Sequence, residues 1–89
     1  MSQLRPGVYR HYKGQEYQVF RTVRHSETEE ELVLYRCLYG DFSWWVRPQA
    51  MFRETVVVAG EECPRFAWQR TFYPDSYPDA PPLAAEGLV

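Results

Sequence analysis

Leu32-Val33-Leu34-Tyr35-Arg36-Cys37-Leu38-Tyr39 is the stretch on which the fold turns. In an extended chain, successive side chains point to opposite faces. Val33, Tyr35, Cys37 and Tyr39 then line one face, and Leu32, Leu34 and Leu38 line the other. A strand that is apolar on both sides belongs at the centre of a curled sheet. The run before it, Ser26-Glu27-Thr28-Glu29-Glu30-Glu31, carries four carboxylates and no apolar side chain, so it reads as an exposed connection. Ser26 and Glu29 have the spacing of a helix capping box, but the β-branched and aromatic residues that follow favour a strand.

Upstream, Gly7 to Tyr12 and Glu16 to His25 flank Lys13-Gly14, a hairpin signal because Gly14 tolerates positive φ. Tyr17, Val19 and Val23 alternate with Gln18, Thr22 and Arg24, the pattern of a strand with one wet face. Two registers are open: His11 opposite Glu16 with Val8 opposite Val19, or His11 opposite Tyr17 with Tyr9 opposite Val19. Downstream, Gly40-Asp41 turns the chain into a strand from Phe42 to Arg47 that Pro48 ends. Pro48 to Phe52 reads as a short helical or 3₁₀ turn that sets Met51 and Phe52 against the core. A Val-rich strand, Glu54 to Ala59, and a turn at Gly60-Glu61-Glu62 follow. Cys63 to Arg70 fits either a short closing strand or irregular packing anchored by Phe66 and Trp68.

The chain has 89 residues, enough for one domain. Aromatic residues make up 17% of it, so rings dominate any core. About five short strands and one helical turn predict an all-β fold, a small SH3-like barrel or roll over residues 1–70. A sandwich needs about 100 residues. Residues 71–89, with Pro74, Pro78, Pro81 and Pro82 and three acids, predict an extended tail without a core of its own. Phe72, Tyr73 and Tyr77 are its anchors for docking.

The formal charge of −2 gives no bulk attraction to a nucleic-acid backbone or an acidic membrane surface. Nine of the ten basic residues are Arg, whose planar fork suits carboxylates and phosphates. Two cysteines, Cys37 and Cys63, are too few for a secreted disulfide scaffold, and no signal peptide or membrane span is visible. The expected compartment is the cytoplasm.

Tyr9, Tyr12, Tyr39, Trp44, Trp45, Arg47 and Phe52 exceed what one small core needs. Trp44 and Trp45 are consecutive, so one of them points away from the interior. An exposed Trp beside Arg47 stacks planar groups, and Tyr39, Trp45, Arg47 and Tyr12 form the predicted ligand-binding surface. A second candidate is a polar corner of His11, His25, Glu27 and Thr28, with Glu16 and Glu30 nearby in sequence. A His with a carboxylate suits general acid–base work or, with three or four such groups, a metal. The 14-residue spacing of the histidines fits no standard zinc pattern, and the bland alternative is a cross-strand polar pair. No phosphate loop, Cys-x-x-Cys, nucleophile elbow or zinc-protease helix is present, so no metal, cofactor or catalytic residue is assigned.

Pro6-Gly7-Val8-Tyr9-Arg10-His11-Tyr12-Lys13-Gly14, with Tyr17 and Val19, resembles the opening signature of the bacterial family named domain of unknown function 1653. His25-Ser26-Glu27-Thr28, Leu38-Tyr39-Gly40-Asp41, Trp45-Val46-Arg47-Pro48, Met51-Phe52 and Pro64-Arg65-Phe66 resemble it in order and spacing. Cys63 departs from the aliphatic residue expected there. The resemblance implies a compact all-β domain with no established activity, and suits a binding or regulatory attachment.

Three readings follow. The first is a noncatalytic module that binds a small polar ligand, a peptide or a protein through the aromatic and arginine surface, a surface compatible with homo-oligomers. The second is a small metal-assisted or His/Glu hydrolase on the polar corner. The third is a single-stranded RNA or DNA binder, against which the lack of a concentrated basic stretch counts.

Overall fold

In the computed structural model, which describes residues 4–84, the chain forms β1 (Gly7–His11), β2 (Glu16–Arg24), β3 (Glu31–Cys37), β4 (Trp44–Pro48), α1 (Gln49–Phe52), β5 (Thr55–Val58), β6 (Glu61–Pro64) and β7 (Phe66–Arg70). A 3₁₀ turn at Pro74–Ser76 follows. The strand expected at the centre is β3, which ends at Cys37 and lies one in from the edge of a five-stranded antiparallel sheet of order β4-β3-β2-β1-β7, with β2 in the middle.

The all-β class holds, but two details of the sequence reading are corrected. There are seven strands among the described residues, and the sheet is open, with β4 and β7 as its edges, instead of closing into a barrel. The Val-rich segment pairs only with β6, in a separate two-stranded sheet. Ala59 (φ 53°) and Gly60 (φ 82°) form its turn, the two-residue geometry that matches strand twist. Pairing with β6 alone leaves Val57 72% exposed. The ambiguous Cys63 to Arg70 segment splits, with β7 joining β1 along Tyr9↔Trp68 and His11↔Phe66.

The first hairpin takes neither expected register. It pairs Tyr9 with Tyr17 and Gly7 with Val19. Tyr12-Lys13-Gly14 is a three-residue loop closed by His11 N–H to the Gln15 carbonyl (2.7 Å) and Gly14 N–H to the His11 carbonyl (2.7 Å), with Gly14 at φ 108°.

This register puts Tyr9, Val19 and Tyr35 on one face, where they form the core with Val33, Phe52 of α1 and Phe66 of β7. Phe52 stacks on Phe66 with centroids 4.2 Å apart and meets Tyr9 edge-on at 5.4 Å. Met51, expected in this core, is exposed, because the single turn of helix turns Gln49 and Phe52 inward and leaves Met51 on its outer side. Thr22, also buried, donates to the Gln49 side chain (3.0 Å) and ties α1 to the sheet.

Val8, Gln18 and Arg36 are aligned across β1, β2 and β3 on the opposite face, and all three are buried. Pairing slips at Phe20, between Val19 and Arg21, and this bulge brings the Phe20 ring flat against Trp44 at 4.5 Å. The proline-rich tail covers this second face, joined to it by Arg36 and Glu16. No helix among the described residues is long and apolar enough to cross a membrane.

Candidate functional site

The Leu38–Ser43 connection builds a cleft beside β4. Leu38 N–H donates to the Glu16 carbonyl and Cys37 N–H to the Ser43 carbonyl, each at 3.0 Å, so the connection is held to β2 and folded back on itself. Gly40 and Phe42 adopt positive φ, and Asp41 accepts from Ser43 N–H at 3.1 Å. Tyr39 is thereby aimed at Tyr17, with the two hydroxyls 3.0 Å apart. Tyr17, Tyr35, Tyr39, Asp41, Trp45 and Arg47 line it, around about 340 Å³.

Trp45 stands opposite Tyr35 on the core side of the sheet, yet it is 55% exposed because β4 is an edge. Its indole N–H donates to Ser43 Oγ (2.8 Å), which fixes the ring. The Arg47 guanidinium lies 5.3 Å from the Phe66 ring, within cation–π range. The hydrogen bond with Tyr17, then burial and the contact with Cys37, push the Tyr39 phenol well above its usual range. It stays a neutral hydrogen-bonding group there, a weaker acid than an ordinary tyrosine.

The structure thus gathers Tyr39, Trp45 and Arg47 into one cleft. Tyr12 is not part of it: with His11 it lines a separate groove of about 460 Å³ between the first hairpin and Val58, Cys63 and Pro64. Tyr12 N–H donates to the Arg65 carbonyl (2.9 Å), which holds the hairpin tip beside the β6–β7 connection. The alternation of Trp44 and Trp45 holds, with Trp44 covering the second face against Phe20.

The polar corner does not assemble. His11 precedes β2 and His25 follows it, at opposite ends of a nine-residue strand that spans roughly 30 Å at about 3.3 Å per residue. His25 Nδ1 accepts from the N–H groups of Glu27 (3.1 Å) and Thr28 (3.3 Å), and Thr28 Oγ1 accepts from Glu30 N–H (3.2 Å). These side chains organise the β2–β3 turn. Among the described residues, no three His, Cys, Asp or Glu side chains are grouped to hold a metal.

The sequence profile of DUF1653, proteins of unknown function, matches residues 7–68. The chain belongs to that family. A crystal structure of a DUF1653 protein from Bordetella bronchiseptica is 38% identical and superposes with a TM-score of 0.72, over 80% of this chain and 94% of that one. No curated protein matches the sequence. The cleft lies wholly within the matched residues of the DUF1653 domain, whereas the tail lies beyond them.

Tyr17, Tyr35, Asp41 and Ser43 also line the cleft, and the linear sequence does not mark them as ligand-binding residues. Their signal is cross-strand: Tyr17 pairs with Cys37 and Tyr35 with Trp45, neighbours that appear only once the register is known. His11 belongs near Arg47, since both meet Phe66. Burial, then the charges of Arg65, Arg47 and Lys13, hold its imidazole below the usual range. The native state therefore binds fewer protons than the unfolded chain between that lowered value and the ordinary value of about 6.5. Stability is complete above about 6.5 and falls as pH drops through the folded value. Denaturant midpoints of wild type and His11→Gln, followed from pH 7.5 to 5, are expected to diverge in slope on this side, with the variant losing less.

Proposed function

We propose that this DUF1653 domain is a noncatalytic binding module. Its cleft takes a small polar ligand, or one side chain of a peptide or protein partner, with a planar group against Trp45 and its polar edge toward Arg47 and the tyrosine hydroxyls. The observation that carries the reading is Trp45 itself: a half-exposed indole, held in place by Ser43, at the mouth of a cleft. The tail docks on the other face of the sheet, against Arg36, so it does not supply a cover for this ring.

Stacking on an aromatic ring contributes about 1–3 kcal/mol, and a hydrogen bond to a charged group about 1.5–3 kcal/mol. Both come from side chains already positioned, which lowers the ordering cost of binding. Both cysteines are free thiols, which supports placing the module in a reducing compartment such as the cytoplasm.

A fragment screen read by amide and indole chemical shifts tests the site. Planar fragments bearing a carboxylate or amide are expected to shift Tyr39, Trp45 and Arg47 together. Hits confined to the Tyr12 groove, or to the turn at His25, would overturn the assignment.

A further inference from the structure

The tail contains one motif twice, Tyr73-Pro74-Asp75-Ser76 and Tyr77-Pro78-Asp79-Ala80. Each copy folds alike: Ser76 N–H donates to the Tyr73 carbonyl and Ala80 N–H to the Tyr77 carbonyl, both at 3.0 Å. Proline in the second position presets such a turn. The two copies differ in what they touch. Tyr73 is 62% exposed, whereas the Tyr77 hydroxyl donates to Glu16 (2.6 Å) and its ring stacks on Phe72. Four residues on, the Pro81 carbonyl accepts from Arg36 Nη1 (2.7 Å).

The receiving face is built for this. Arg36 is 1% exposed, fixed by its bond to Gln18 (2.8 Å), and its guanidinium lies 5.6–5.9 Å from the rings of Phe20, Trp44 and Phe72. Arg70 braces Glu16 at 3.1 Å and also contacts the Tyr77 hydroxyl. Burial pushes the Glu16 carboxyl up, but the bonds from Tyr77 and Arg70 outweigh it and hold the group below its usual range. Charged anchors on the sheet thus meet a hydroxyl and a carbonyl of the tail. No residue from 71 to 84 is itself fully buried, so the tail sits on the domain as a ligand sits, and opens at lower cost than the core.

We propose that the outer face of the sheet is a recognition surface for a Tyr-Pro-x-x-Pro turn, and that residues 77–81 occupy it as an internal ligand. A proline-rich segment of a partner protein carrying the same turn displaces it. This surface is independent of the Trp45 cleft, and either can fail alone.

The test uses the full chain and a synthetic peptide of residues 72–84. Tyr77→Ala in the full chain removes one anchor of the internal competitor. The peptide is expected to bind this variant about tenfold tighter than wild type, the scale of one charge-assisted hydrogen bond, with shifts at Gln18, Arg36 and Trp44. A peptide with Phe at the position of Tyr77 is expected to lose about the same factor. Tail exchange into a dimer that excess peptide dissolves also supports the proposal. It is overturned if Tyr77→Ala leaves the tail signals in place, or if the folded variant releases its tail and binds no peptide on this face.

Discussion

Phe52→Ala is expected to remove most of the stability of this domain. Phe52 is 1% exposed, stacked on Phe66 and edge-on to Tyr9, with Tyr35 at 6.1 Å. It is also the anchor of α1, a four-residue helix with no side-chain cap that has little reason to form without it. Truncating a buried Phe costs about 3–5 kcal/mol, against a total of about 5–15 kcal/mol for a native protein, with small domains toward the low end. The check is the midpoint of urea unfolding, which should fall steeply for Phe52→Ala and only modestly for Phe52→Leu. A loss below about 1 kcal/mol, the size of a surface effect, would mean that the ring cluster is not the core.

Gly7→Ala is the second large effect, and its cause is local. Gly7 has φ 141°, and a Cβ there would lie 2.6 Å from Trp68 Nε1 and 2.7 Å from the Arg70 carbonyl. Backbone strain of this kind costs about 1–3 kcal/mol, and the clash adds to it because the Arg70 oxygen belongs to the β1–β7 pairing and cannot swing aside. Trp68 also donates to the Pro6 carbonyl at 3.1 Å, so β7 is displaced and that bond is lost. Gly14→Ala is the control: its φ of 108° is strained too, but the nearest atom is the end of the Arg10 side chain at 4.0 Å. Hydrogen exchange should show β7 amides losing protection in Gly7→Ala and keeping it in Gly14→Ala.

Period-two patterns were the readable part of this chain. The double apolar character of Leu32 to Tyr39 located an interior strand, β3, between β2 and β4, and the adjacency of Trp44 and Trp45 put the two rings on opposite faces, although the exposed one, Trp45, lies on the core side and owes its exposure to the edge position of β4. Arg36 does not read as a core residue because an arginine in a strand is ordinarily a surface residue; its burial depends on the tail, 45 residues away in sequence. Register was out of reach because it depends on whether the hairpin loop holds three residues, which Lys13-Gly14 alone does not specify. The valines of β5 carry strand propensity whether they end in the main sheet or in an exposed hairpin, so propensity could not separate an open sheet from a barrel. Conversely, His25 and Glu27 look like chemistry in a linear reading, and the fold uses them to close a turn.

The most direct measurement is the affinity of the best cleft-binding fragment for wild type, Trp45→Ala and Arg47→Gln, each checked for an unchanged melting temperature. The expected loss is about tenfold or more in each variant, from about 1–3 kcal/mol of stacking or charge-assisted bonding. Undiminished affinity in both folded variants would contradict the assignment of this cleft as the binding site.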